Sequence, residues 1–162
     1  MSVVIVTDSE QPDPQLNQTL KKWLDRRKLL TTRLHVLSPN YLPIYISADV
    51  HLEESVDRQK VEEMARNEIK AFFDPLNSGI YWNGQGWPFG RDVYLSDLYA
   101  LIDGLSGVDY VNNVIISESN ATSNGDNTNT AYKISLKDRD YDFVTIQTVT
   151  LAFKDRFGNE WK

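Results

Sequence analysis

Cysteine is absent from the 162-residue chain. That excludes disulfides, thiolate nucleophiles and cysteine-ligated zinc, and leaves packing alone to hold the fold. Histidine is nearly absent too, with His35 and His51 the two examples. No apolar run approaches the roughly 20 residues that cross a bilayer, so no membrane partner is expected. The start, Met1-Ser2-Val3-Val4-Ile5-Val6, lacks the basic region and cleavage site of a signal peptide and predicts an opening buried strand. Basic charge is short as well: the formal net charge is -6 and the pI about 4.9. Nucleic-acid binding needs clustered Lys and Arg to neutralise phosphates. The one dense cluster, Lys21, Lys22, Arg26, Arg27 and Lys28, falls on a single helix, and a solvated helix face explains it at least as well. No nucleic-acid partner is expected.

Apolar residues are plentiful. They make up 41% of the chain, with 6 Phe, 4 Trp and 8 Tyr among them, enough for an ordinary core. Asp13-Pro14 suits a helix start, and Leu16, Leu20, Trp23, Leu24 and Leu30 recur at helical spacing, predicting a helix over 15–30. Leu34 to Leu37 reads as a short strand. From Leu42 to Glu53, the apolar residues Ile44, Ile46, Ala48, Val50 and Leu52 alternate with polar ones, the period of a strand with one buried face. Ser55 is placed to cap a second helix with the stripe Val56, Val61, Met64, Ala65, Ile69 and Phe72, which Asp74-Pro75 stops. Residues 76–92 read as a loop rich in glycine and aromatics. Ser96 is the expected cap of a third, short helix ending at a left-handed Gly104. Strands follow at 108–116, 131–136 and 143–153, with a polar loop at 117–130. This order predicts an α+β fold, a largely antiparallel sheet with two main helices and one short one, a ferredoxin-like arrangement being one option.

Chemistry is harder to find. His51 and Glu53 share a strand face and are the nearest thing to a metal pair, yet two polar residues on a solvated face are ordinary. Ser106 in Gly104-Leu105-Ser106-Gly107 lacks the spacing of a nucleophile elbow and reads as a turn. Gly84-Gln85-Gly86-Trp87-Pro88-Phe89-Gly90 has the glycines of a phosphate loop, but Trp87 is bulky and Pro88 offers no amide donor. Asp138, Asp140 and Asp142 lack the glycine and terminal glutamate of a calcium loop, so a charged hairpin turn accounts for them. These residues predict no catalytic, cofactor or metal site and no enzyme. The residues singled out are structural or interface anchors: Trp82, Trp87, Phe89 and Arg91. The aromatic three are either core plugs or contact anchors, and the loop is expected to pin the third helix against the sheet.

Four stretches, taken together, resemble the C-terminal region of baseplate J-like proteins of contractile phage tails. They are the opening strand and helix, ending in the run from Trp23 to Val36; Ser38-Pro39-Asn40-Tyr41-Leu42-Pro43-Ile44-Tyr45-Ile46-Ser47-Ala48; Phe72-Phe73-Asp74-Pro75-Leu76 with Gly86-Trp87-Pro88-Phe89-Gly90-Arg91-Asp92-Val93-Tyr94-Leu95-Ser96; and Gly107-Val108-Asp109-Tyr110-Val111, together spanning roughly residues 3–116. The resemblance implies a domain over 1–116 to which 117–162 adds a polar loop and strands. It also implies a non-catalytic assembly role in the baseplate of a phage tail or phage-like injection system. The partners would be wedge, spike or hub subunits, or further copies of the chain. Synthesis would be in the bacterial cytoplasm, followed by incorporation into a particle. A small-ligand or carbohydrate-binding module, using exposed Trp and Tyr with the 117–130 loop, is the alternative. A metal-dependent hydrolase around His51 and Glu53 is the third reading.

Overall fold

The architecture grows from strand β3 (Asn40–Leu52), whose alternation buries Ile44, Ile46, Ala48, Val50 and Leu52 on one face. The structure is a computed structural model and describes residues 2–7, 14–118, 132–136, 142–155 and 157–159. Before β3 come β1 (Ser2–Val4), α1 (Pro14–Asp25) and β2 (His35–Leu37); after it comes α2 (Arg58–Phe72). A 3-10 turn at Tyr81–Gly84 leads to β4 (Val93–Tyr94), α3 (Leu95–Asp103), β5 (Val108–Ser117), β6 (Lys133–Ile134) and β7 (Asp142–Lys154).

The class is α+β. β3 is central in a three-stranded sheet ordered β5-β3-β7. Its ladder with β5 is antiparallel and its ladder with β7 is parallel, from Asn40 opposite Asp142 to His51 opposite Lys154, so the sheet is mixed. A parallel pair needs a long crossover, and residues 53–141 supply it. β1 and β2 form a separate parallel pair around α1, and β4 and β6 a short antiparallel one. Among the described residues these pairings do not assemble a ferredoxin-like sheet. Helices α2 and α3 cover the sheet with Val61, Ala65, Ile69 and Phe72 and with Leu98, Leu101 and Ile102, all in one core cluster.

Several local expectations need correction. Helix α1 stops at Asp25, not near residue 30; the Arg27 amide bonds the Leu24 carbonyl three residues back and tightens the final turn, and the Lys28 amide shares that carbonyl. The cap of α2 is Asp57, whose carboxylate accepts from the Gln59 amide at 3.1 Å; Ser55 lies outside the helix at φ 68°. Ser96 lies inside α3, which begins at Leu95 after Tyr94 and has no side-chain cap; the Leu95 amide donates instead to the carbonyl of Tyr132. Gly104 is right-handed at φ -76°. The left-handed residue is Gly107 at φ +91°, where an added Cβ would stand 2.8 Å from Val56 Cγ1. Strand β1 is only part-buried, since β2 is its sole described partner. Asp13, Asp138, Asp140 and the 117–130 loop beyond Glu118 lie outside the described residues.

Candidate functional site

The aromatic stretch expected as loop folds into a knot on the C-terminal end of α2. That end carries Phe72 and Phe73, whose rings meet edge to face at 5.1 Å. Trp87 enters between them, 4.7 Å from Phe73 and 5.4 Å from Phe72, and is only 3% exposed. Trp82 stands 5.0 Å from Trp87 at 81°, and its Nε1 donates to the carbonyl of Phe72 at 2.9 Å. That bond satisfies a carbonyl the helix end would otherwise leave open.

Backbone geometry sets these rings in place. Asp74 accepts the amides of Leu76 and Asn77 at 2.8 and 2.7 Å, folding the chain back directly after α2. The Trp87 amide then donates to the Asp74 carbonyl at 2.8 Å. Gly86 makes the approach feasible: at φ +84° an added Cβ would stand 2.1 Å from the Pro75 carbonyl oxygen. Buried Ser78 donates to the Tyr81 carbonyl and accepts from the Gly86 amide. Trp82 and Asn83 both sit in the left-handed region, at φ 50° and 55°, which non-glycine residues rarely adopt. Tyr81 donates its hydroxyl to Glu68 at 2.6 Å; burial, then that carboxylate, pushes its pKa up to about 12.

Arg91 closes the knot. Its guanidinium lies 4.6 Å from the Trp82 ring centroid, and Nη2 donates to Asp97 on α3 at 2.8 Å. Next to it, Asp92 accepts from Lys133, Ser135 and the Leu136 amide, fastening β6. The 82–92 stretch therefore ties α2, α3 and β6 together, with the end of α2 as its seat. Of the anchors, Trp87 is core, Trp82 and Arg91 are partly covered, and Phe89 is 55% exposed, touching only Phe143 among the described rings. Sequence reasoning joined Phe72, Phe73 and Asp74 to this stretch only through the family resemblance, and named neither them nor Ser78 as anchors; the Asp-Pro that marks the helix end is the signal that could have pointed to the fold-back.

His51 is not on a solvated face. It is 5% exposed, stacked on Tyr110 with centroids 4.0 Å apart, and its Nδ1–H donates to the carbonyl of Asp155 at 3.0 Å. Glu53 is exposed beyond the end of the strand. Among the described residues, no group of three or more His, Asp or Glu could hold a metal ion. Ser106 lies in the turn between α3 and β5. A cleft of about 580 Å³ lies between α2, the turn after it and β7, with Arg66, Lys70, Tyr41, Phe73 and Gln147 on its walls. Arg66 is already engaged there, donating to the Val149 carbonyl and to Glu62.

The structure defines an α+β domain built around an aromatic knot. The sequence matches no protein-family profile and no curated protein. In fold, the chain is similar to a chain in a cryo-electron-microscopy structure of the anti-feeding prophage baseplate, 6-fold symmetrised, with a TM-score of 0.58 and 14% identity. The match covers 90% of this chain and 29% of that one, so this chain spans under a third of its neighbour's length. At this identity the likeness is one of fold. Among the described residues, no helix is long and apolar enough to cross a membrane.

Proposed function

We propose that this chain is a non-catalytic structural module of the baseplate of a contractile phage tail or phage-like injection system, acting through contact with other baseplate subunits. The observation that carries the reading is the fold shared over 90% of the chain with part of a prophage baseplate chain. The sequence resemblance to the C-terminal region of baseplate J-like proteins points the same way and is the finer part of the proposal. The knot suits such a role, because a subunit in a ring that rearranges needs a rigid body more than a pocket.

The test is removal of the chain's coding segment from the producing strain, followed by electron microscopy of the particles. Loss of assembled baseplates is expected; normal particles that still inject would end the reading. The ligand-binding alternative has one described space to occupy, the open cleft beside β7, which is lined by Tyr41 and not by the Trp residues or the 117–130 loop on which that alternative depends. A saccharide that raises the melting temperature of the purified chain would favour that alternative.

A further inference from the structure

Helix α1 is amphipathic, yet none of its described side chains is buried. Its apolar side runs Leu16, Leu20, Trp23 and Leu24, the spacing that normally faces a core. Here Leu16 is 40% exposed and Trp23 52%, and past the helix end Leu29 reaches 76% with Leu30 fully exposed. None of these residues joins the core cluster. A 12-residue helix is marginal on its own and is ordinarily stabilised by packing of its apolar face. The parallel pair β1-β2 beside it is also too small to stand alone.

Charge identifies what fits this face. Residues 14–37 carry six basic residues against the single acid Asp25, a net of +5 in a chain whose total is -6. Residues 40–118 carry thirteen acids against five basic residues, a net of -8. Lys28 is paired with Asp25, and Arg27 lies over Trp23 at 3.9 Å. Lys21, Lys22 and Arg26 have no partner among the described residues, and all three are exposed. A basic apolar arm and an acidic body thus sit on one molecule. Two α1 helices would repel if they met across a symmetry axis. An arm that meets the acidic body of another copy avoids that repulsion, giving a reciprocal dimer, or a head-to-tail ring where the rotation closes.

We infer that α1 and the 26–33 segment form an assembly arm whose occupant is the acidic 40–118 body of a second copy of this chain. This deepens the assembly reading above by naming the partner and rests on that reading for its setting. Sedimentation velocity of the 162-residue chain tests it, at about 50 mM and about 500 mM salt, the range over which exposed charges become screened. Expected is a concentration-dependent oligomer at low salt that dissociates at high salt. Trp23→Ser with Leu30→Ser should weaken it at least tenfold, and Lys21→Glu with Lys22→Glu and Arg26→Glu should abolish it. All these side chains are exposed, so circular dichroism of the variants should match the parent. Labelled triple variant should still capture parent chain, since its acidic body is intact. A monomer at every concentration and both salts overturns the inference, as does an oligomer indifferent to the variants. Binding to duplex DNA without self-association overturns it in favour of nucleic acid. A monomeric chain whose removal still abolishes baseplates would sink the second-copy partner alone; a self-associating chain whose removal leaves particles intact would sink the assembly reading instead.

Discussion

Arg91 lies 4.6 Å from the ring centroid of Trp82 while its Nη2 bonds Asp97 at 2.8 Å, so one guanidinium joins the aromatic knot to α3. The ring contact contributes roughly 0.5–1 kcal/mol and the partly covered ion pair up to about 1 kcal/mol. Arg91→Ala should therefore lower stability by about 1–2 kcal/mol in urea unfolding. Arg91→Lys should recover less than half, because an ammonium cannot stack its plane on the indole while reaching Asp97. An unchanged midpoint for Arg91→Ala would mean the guanidinium is ornamental.

The two glycines that frame Trp87 and Phe89 make a sharper comparison. Gly86 and Gly90 are both left-handed, at φ +84° and +70°, but an added Cβ meets the Pro75 carbonyl at 2.1 Å in the first case and nothing within 4 Å in the second. Gly90→Ala should cost about 1–2 kcal/mol, the conformational penalty alone. Gly86→Ala must in addition push the 74–76 turn away from Trp87, and should cost well over that or prevent folding. Equal melting temperatures for the two variants would contradict the close approach.

How far such features could be read beforehand depends on their range. The alternation Ile44, Ile46, Ala48, Val50, Leu52 and the stripe along α2 are local periodicities: all five strand residues and Val61, Ala65, Ile69 and Phe72 are buried, whereas Met64 of the expected stripe is 38% exposed and Val56 lies before the helix, partly covered. Whether β7 runs parallel or antiparallel to β3 leaves no local trace, because both ladders share a period of two and the partners lie about a hundred residues apart. His51 was misplaced for a similar reason. Its cover comes from Tyr110 across the ladder and from Asp155 far along the chain. The four candidate anchors share one stretch of sequence but not one fate. Trp87 is buried by Phe72 and Phe73 at the end of α2, whereas Phe89 meets only Phe143 among the described rings and stays 55% exposed.

Tyr81 should shape the alkaline limit of stability. Its pKa is raised to about 12 by burial and by the bond to Glu68, against an ordinary value of 10.0. The folded state holds the proton more tightly, so the contribution is complete below pH 10.0 and is lost as pH rises through about 12. Absorbance titration should show a tyrosine ionising near pH 12. Tyr81→Phe should remove that step and flatten the fall in stability across this window. A titration curve identical in parent and variant would refute the assignment.

At the acid end, the residue to watch is Asp92. The hydrogen bond from Lys133 comes first, then the Leu136 amide, and together they hold its carboxyl below the usual 3.8. With the folded pKa depressed, the contribution is present above pH 3.8 and disappears as pH falls through the lower folded value. Asp92→Asn should therefore unfold with a shallower loss of stability between about pH 4 and pH 2 than the parent does. The same variant should loosen β6, whose seat on β4 depends on this carboxylate reaching Lys133, Ser135 and Leu136 at once. Faster amide exchange at Leu136, with α2 unaffected, is the expected local signature.

His51 gives the test that separates a structural histidine from a ligand. Its Nδ1–H is committed to the Asp155 carbonyl at 3.0 Å and its ring face to Tyr110 at 4.0 Å, while Glu53 is exposed past the strand end. Zinc should leave the melting temperature of the parent unchanged. His51→Ala should cost on the order of 2 kcal/mol, the stack and the hydrogen bond each contributing about 1 kcal/mol. His51→Phe should restore the stack but leave the Asp155 carbonyl unsatisfied, and so fall between the two. The loss should be read most directly in the 155–159 turn, where Asp155 also accepts the amides of Phe157 and Asn159. A zinc-dependent rise in melting temperature that vanishes in both His51→Ala and Glu53→Gln would reverse this account, because a metal could be held through the His51 Nε2 while the Nδ1–H bond to Asp155 stays in place.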